Sequence, residues 1–436
     1  MSKNPTPEQA LAINTIKSNV SLLAGAGSGK TYVLMKRFVQ ILRSDLSVNP
    51  TNIVAITFTR KAADEIKGRV RQAVGECVEQ AQNDLERLRW QEHLQKVESA
   101  PISTIHSLCS RILRDNPVET QLDPEFTILE DFEAQDFFKE TLQQYLRKNI
   151  KENAALRSLV QTYGVNSFVN QVTALGDKLS ELVREDNLAE PYLKAKEELP
   201  ALQQKLFAAL REVIEAREAL GAKTKGRQTL TEAAGLLDEM QKQLLAPEPD
   251  CSLLDASGIV KVSGKALAAE LTNLKNLRQE LNNVLLNAKG CDLVQDWLAV
   301  LQEFYACLSA RKQENNVLFN DDLDLLAIEH LQKNEALRQK YQERYKYIMV
   351  DEFQDTNERQ RQLIYLLCGN KLDNTNNLFI VGDVKQSIYR FRHADVSVFN
   401  KVKEDIAQNA GQNLGMKTNF RSTQSIVESC NTAFCQ

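Results

Sequence analysis

One short run constrains the fold of this chain more than any other: Ala24-Gly25-Ala26-Gly27-Ser28-Gly29-Lys30-Thr31. An apolar segment, Val20-Ser21-Leu22-Leu23-Ala24, precedes it, and a helical pattern over 32–42 follows. A strand, a glycine-rich turn and a helix in that order predict a phosphate-binding loop. Glycines let backbone N–H groups turn inward around an anion with no Cβ in the way. The helix N-terminus adds about half a positive charge at the same place. Lys30 is then expected to reach the β- and γ-phosphates of ATP, and Thr31 to coordinate Mg²⁺. Ala24 stands where the strict pattern has Gly; the looser pattern accepts either. The plain alternative is a glycine-rich strand-to-helix turn that binds nothing.

Three more β-branched apolar runs occur: 53–58, 347–351 and 378–382. Runs of this kind separated by helical patterns predict an α/β fold with a parallel sheet covered on both faces. The run at 347–351 ends in Asp351-Glu352-Phe353-Gln354-Asp355-Thr356. Carboxylates at the C-terminal end of a parallel strand lie at the ligand edge of such a sheet. Phosphoryl transfer to water needs a Mg²⁺-holding Asp and a group that positions the water. Asp351 suits the first role and Glu352 the second, as general base.

Between these stretches the pattern changes. The region 116–317 is rich in Leu, Ala, Glu, Lys and Gln, with helical spacing over Leu193–Leu220 and Ala266–Leu286. It reads as an all-helical insertion, because strand-type sequence resumes after it; 247–249 and Gly258 mark loops inside it. The net charge of −4 gives no global support for nucleic-acid binding, so any such site must be a local groove. The eight cysteines, at 77, 109, 251, 291, 307, 368, 430 and 435, form no CxxC pair. They read as reduced, buried thiols and hence a cytoplasmic protein. No apolar run is long enough to span a membrane.

Seven blocks, in order, resemble the superfamily 1 UvrD/Rep and AddA/RecB DNA helicases. They are Thr6-Pro7-Glu8-Gln9, the phosphate loop, residues 57–63 (TFTRKAA), 103–107 (STIHS), 351–356 (DEFQDT), 382–392 (GDVKQSIYRFR) and 419–422 (NFRS). The resemblance implies a RecA-like P-loop NTPase lobe made of 1–115 and 318–412, interrupted by the helical insertion at 116–317. It also implies a second RecA-like lobe beginning at 413–436. By the same resemblance Gln9 reads the adenine edge, Gln386 senses the γ-phosphate, and Arg421 reaches it from the second lobe. Phe420 stands where many relatives stack a Tyr on adenine, and Tyr32 where UvrD-type members often carry Arg.

The implied activity is ATP- and Mg²⁺-dependent 3′-to-5′ translocation on single-stranded DNA and at duplex junctions, in repair or recombination. A DNA track of this type needs aromatic faces and cations. Phe58, Tyr389 and Phe391 supply the faces by resemblance. Arg60, Lys61, Arg390 and Arg392 supply charge, and Thr57, Thr59 and His106 are further contacts. From the residues alone Phe58 reads as core and His106 as a satisfied helix-start histidine, whereas the Tyr-Arg-Phe-Arg run does not suit a core. Phe391 in place of the Trp usual in UvrD, Lys385 two residues after Asp383, and the long insertion lean toward the AddA/RecB style. That style implies a partner, a second helicase–nuclease subunit. The sequence stops inside a helical pattern before the family's later motifs. It therefore reads as the N-terminal ATP-binding portion, expected to bind nucleotide and to unwind duplex poorly. Two other readings stay open here: a P-loop ATPase of another class, which would hydrolyse ATP without DNA, and a non-catalytic DNA-binding scaffold.

Overall fold

The computed structural model describes residues 4–185, 187–263, 265–369, 372, 377–388 and 395–434. The chain forms two compact units, one of Met1–Asp131 with Asn316–Gln436 and one of Phe132–Asn315.

Among the described residues the first unit holds eight strands: β1 (Val20–Ala24), β2 (Ile53–Thr57), β3 (Ile102–Thr104), β4 (Thr127–Leu129), β5 (Val317–Phe319), β6 (Tyr347–Val350), β7 (Asn377–Gly382) and β8 (Gln412–Met416). Six form one sheet in the order β3-β2-β6-β7-β1-β8. Every pairing in it is parallel. The apolar runs follow from burial on both faces. Ile53, Ala55, Tyr347, Met349, Phe379 and Val381 enter one core, while Val54, Ile56, Ile348, Val350, Leu378 and Ile380 enter the other. The period of two along each strand sends alternate residues to opposite helical layers. Helices α1 (Pro7–Asn14), α2 (Lys30–Ser44), α3 (Arg60–Glu79) and α4 (Asp84–Val97) supply the first layer. Helix α5 (Ile105–Arg114) and the helices Asn320–Lys333, Glu335–Arg344, Glu358–Cys368 and Val396–Gln408 supply the second.

Parallel pairing places the C-terminal end of every strand at one edge. That edge carries the phosphate loop after β1, Thr59 after β2, His106 after β3, Asp351 after β6, Asp383 after β7 and the 417–421 segment after β8. The opposite edge is tied by Asn19, which is fully buried. Its amide donates to Leu372 O at 2.8 Å and accepts from Leu378 N at 2.8 Å, and its backbone oxygen accepts from Gln412 N at 2.9 Å. Arg37 of α2 is also buried. It donates to Ala12 O at 2.5 Å and lies over the Phe379 ring at 4.3 Å, a cation–π contact that offsets part of its desolvation. Burial still lowers its pKa to about 9.

Two boundaries differ from the sequence reading. The helical unit starts at Phe132 rather than 116. The intervening residues belong to the first unit because β4 pairs in parallel with β5 and Phe126 is buried in the second layer's core. At the other end β8 lies in the first sheet beside β1, with Ala24 opposite Met416. A start at 413 would cut this strand, and the residues that follow it stay with the first unit.

Among its described residues the second unit holds helices and no strand. Helix Ala268–Glu314 has 47 residues, about 70 Å at 1.5 Å per residue. It packs along helix Glu190–Glu215, with Leu199, Leu206, Leu210, Leu271, Leu274 and Leu281 in the shared core. It runs well beyond the 266–286 pattern and through Gly290, a position that costs about 1 kcal/mol relative to Ala. Among the described residues no helix is long and apolar enough to cross a membrane. The cysteines are not uniformly buried as expected. Cys77, Cys109, Cys291 and Cys368 are buried and Cys251 is intermediate, but Cys307 and Cys430 are exposed. Cys430 lies on helix Gln424–Phe434, which has no buried residue. Cys435 lies outside the described residues.

Candidate nucleotide-binding site

The phosphate loop is held by its own backbone. Ser28 donates to Gly25 O through its amide at 3.2 Å and its hydroxyl at 2.7 Å. Gly27 and Gly29 have φ of +75° and +89°, where a side chain is strained. Crowding acts with the backbone. A Cβ at Gly27 would lie 2.7 Å from Arg421 Cβ and Asn419 Oδ1, and one at Gly29 would lie 2.9 Å from Gln9 Nε2. Helix α2 begins at Lys30, so Lys30, Thr31 and Tyr32 occupy its first turn.

Gln9 is placed against this loop. Its amide donates to Ser28 O at 3.0 Å and accepts from Thr6 N at 3.1 Å. It braces the loop and closes the cap of α1, so both ends of the amide that resemblance assigns to adenine are already bonded to protein.

Across the sheet edge Lys30 Nζ meets Glu352 Oε2 at 2.6 Å. Glu352 sits at φ +50°, a left-handed conformation uncommon for a residue with a side chain. Asp351 bonds through its carboxylate to the Glu352 amide at 3.0 Å. Burial, then the charge of Glu352, pushes its pKa up to about 6, against the pull of Lys30. Two carboxylates thus share one lysine in a half-buried place. Thr31, in the first turn of α2, and Asp351 carry the oxygens that would hold a Mg²⁺ ion.

The charge imbalance gives a test without ligand. The Asp351 carboxyl has a higher pKa folded, about 6, than in an unfolded chain, about 3.9, so its ionised form opposes folding. Asp351→Asn removes that opposition. The substitution leaves stability unchanged below about pH 4, stabilises increasingly as pH rises through 6, and has a constant effect above. At pH 8 the gain is about 1–2 kcal/mol, discounted for partial solvent access from the 3 kcal/mol implied by the two pKa values. Melting curves across pH 4–8 in the absence of Mg²⁺ check it. A variant that melts with the wild type at pH 8 would remove burial of charge as the cause.

The segment after β8 folds onto the phosphate loop. Phe420 N donates to Gly27 O at 2.8 Å. Asn419 Oδ1 accepts from Arg421 N at 2.8 Å and Ser422 N at 3.0 Å. Phe420 and Arg421 are exposed beside the loop. After β7, Gln386 donates to Asp383 Oδ2 at 2.7 Å, an oxygen that would lie 3.9 Å from a Cβ at Gly25.

The residues assigned to DNA divide. Phe58 and His106 are half-buried, and Thr59, Arg60 and Lys61 are exposed. They flank the ends of β2 and β3, where Thr57 pairs with Thr104. Thr59 caps α3 by accepting from Ala62 N at 3.1 Å. Thr57 is only 2 % exposed and donates to Thr59 O at 3.0 Å. It shapes the turn and does not reach the surface where a strand would pass. Tyr389, Arg390, Phe391 and Arg392 lie outside the described residues.

Sequence reasoning gave no role to Gln354, Asn419 or Asp383, although each lies in one of the seven blocks. Gln354 bridges the ends of β6 and β7, a meeting that spacing does not carry, whereas Asp383 and Asn419 accept from the residues just after them.

The family model of the UvrD/REP helicase N-terminal domain matches residues 5–407. The chain belongs to this family. The described sheet and helical layers are the RecA-like lobe of a UvrD-type helicase, as the sequence led us to expect. Relatives include an ATP-dependent helicase/nuclease subunit from Syntrophomonas wolfei, 32% identical over 98% of this chain and 38% of its own length. The protein of the same name from Streptococcus thermophilus is 30% identical over 98% of this chain and 39% of its own. The exonuclease/helicase subunit RexA of Lactococcus lactis is 27% identical over 98% of this chain and 40% of its own. This UvrD-family chain therefore spans well under half the length of the curated relatives it matches.

Proposed function

We propose that this chain is the ATP-binding portion of an ATP-dependent DNA helicase of the helicase/nuclease type, moving 3′ to 5′ on single-stranded DNA. One observation carries the reading. Lys30 and Glu352, which follow β1 and β6, meet at 2.6 Å, and the 419–421 turn seats Arg421 against Gly27 of the same loop. A phosphate-binding lysine, a candidate base and an exposed arginine converge on one glycine loop. On binding ATP, Lys30 exchanges Glu352 for phosphate oxygens, which leaves Glu352 to orient water. Mg²⁺ would supply charge neutralisation on those oxygens. Gln386 and Arg421 flank the γ-phosphate position. Thr59, Arg60, Lys61, Phe58 and His106 contribute to the strand track at the ends of β2 and β3. The names of the relatives support a nuclease activity in the whole protein and a partner in the form of a second subunit.

The first test is a melting curve with and without Mg²⁺ and a slowly hydrolysed ATP analogue. A ligand at one hundred times its Kd stabilises by about 2.7 kcal/mol, and the shift is expected to vanish in Lys30→Ala. Binding to a dT oligonucleotide is expected to weaken steeply as salt rises, since phosphate contacts release counterions. Cooperative melting without any nucleotide shift, together with salt-insensitive DNA affinity, would overturn the proposal.

A further inference from the structure

Gln354 is 1 % exposed and lies between the two loops that face the nucleotide. Its Nε2 donates to Glu352 Oε2 at 2.9 Å, the same oxygen that Lys30 holds. Its Oε1 accepts from the Asp383 amide at 2.9 Å. Asp383 in turn accepts from Lys385 N at 3.1 Å and from Gln386 Nε2 at 2.7 Å. A continuous chain of bonds therefore runs Lys30–Glu352–Gln354–Asp383–Gln386. A primary amide donates to a carboxylate at one end and accepts a backbone N–H at the other with no change of protonation. Asn would be one methylene short. Gly382 leaves the space: a Cβ there would lie 2.7 Å from Gln354 Oε1 and 3.2 Å from Gln354 N.

Resting on the nucleotide reading above, we infer that Gln354 is a positioning residue that orients the Glu352 carboxylate and ties it to the Asp383–Gln386 turn, so that loss of Lys30 to a phosphate is felt at Gln386. When Lys30 leaves, the Gln354 amide remains as the donor that fixes Glu352, whose left-handed backbone (φ +50°) gives it little local preference for that pose. The reoriented pair then acts on Asp383 through the Oε1 bond. Asp355 stands on the same path. Its carboxylate, on the 3₁₀ turn Phe353–Asp355, accepts from Gln354 Nε2 at 3.3 Å and is hydrogen-bonded to the Ser387 side chain and the Ile388 backbone.

The test uses Gln354→Met, which keeps volume and loses the side-chain bonds to Glu352, Asp355 and the Asp383 amide, and Gly382→Ala, which leaves Gln354 in sequence and displaces its amide. Hydrogen exchange at the Asp383–Gln386 amides is followed by mass spectrometry, with and without Mg²⁺ and the slowly hydrolysed ATP analogue. Steady-state hydrolysis is measured alongside. In the wild type the analogue is expected to change exchange at 383–386 at least fivefold. In both variants basal exchange rises at least tenfold and the response to analogue disappears, while the analogue still raises the melting temperature. The kcat falls at least tenfold with KM within threefold, a split that a purely structural role would not give. A folded Gln354→Met chain with wild-type exchange, nucleotide response and kcat would overturn the inference. If Gln354→Met does not melt cooperatively, Gly382→Ala decides by the same readings. A wild type that shows no nucleotide shift would sink the nucleotide reading instead, and basal exchange at Asp383 would still decide whether Gln354 holds the turn.

Discussion

Arg421→Ala is expected to lower single-turnover ATP hydrolysis by about 10³–10⁵-fold, the range for an arginine that completes a phosphoryl-transfer site. That is about 4–7 kcal/mol of barrier. The backbone around Arg421 is held by protein groups alone. Phe420 N is bonded to Gly27 O, Asn419 Oδ1 takes the amides of Arg421 and Ser422, and Gly27 has no Cβ because Arg421 Cβ fills that space. The side chain itself is exposed. A pinned backbone with an exposed guanidinium is suited to charge that develops only as the γ-phosphate departs. Nucleotide affinity should therefore change less than about tenfold, since the interaction is strongest in the transition state. Arg421→Lys should recover only part of the rate, because an ammonium lacks the planar two-donor edge. If Arg421→Ala instead weakens binding by the full factor with kcat intact, Arg421 holds ground-state phosphate and is not the transition-state cation. A rate within tenfold of wild type would remove it from the site.

How far the site could be read in advance depended on what kind of signal each part leaves. The phosphate loop and the 351–356 block are local: glycines that need positive φ and carboxylates after an apolar strand. The central strands were legible because burial on both faces makes them uniformly apolar. Strand β8, Gln412-Asn413-Leu414-Gly415-Met416, was not, because an edge strand is held by backbone pairing to β1 and four of its five residues are not buried. The three-residue strands β4 and β5 are shorter than any periodicity can mark. Thr57 was assigned to the surface because resemblance places a block there; the structure turns its hydroxyl inward to Thr59. Gln354 carries the opposite lesson. A polar residue in a polar block gives no sign that it is buried, and only the meeting of β6 and β7 puts Glu352 and the Asp383 amide on either side of it.

Glu352→Gln should separate binding from chemistry at this site. A general base contributes about 10²–10⁴-fold, so hydrolysis is expected to fall by that factor. Nucleotide binding should be retained or tightened. Lys30 is paired with Glu352 at 2.6 Å, with the two side chains 12% and 34% exposed, and a phosphate bound by Lys30 must displace that carboxylate. A neutral amide competes less well for the ammonium and leaves Lys30 available. The melting shift given by Mg²⁺ and the slowly hydrolysed analogue should therefore equal or exceed that of the wild type, whereas Lys30→Ala abolishes it. The pair of variants discriminates, because both break one ion pair and should have opposite effects on affinity. If Glu352→Gln lost the melting shift as Lys30→Ala does, the carboxylate would be acting as a ligand for the bound cation, and the base would have to be sought elsewhere along the same sheet edge.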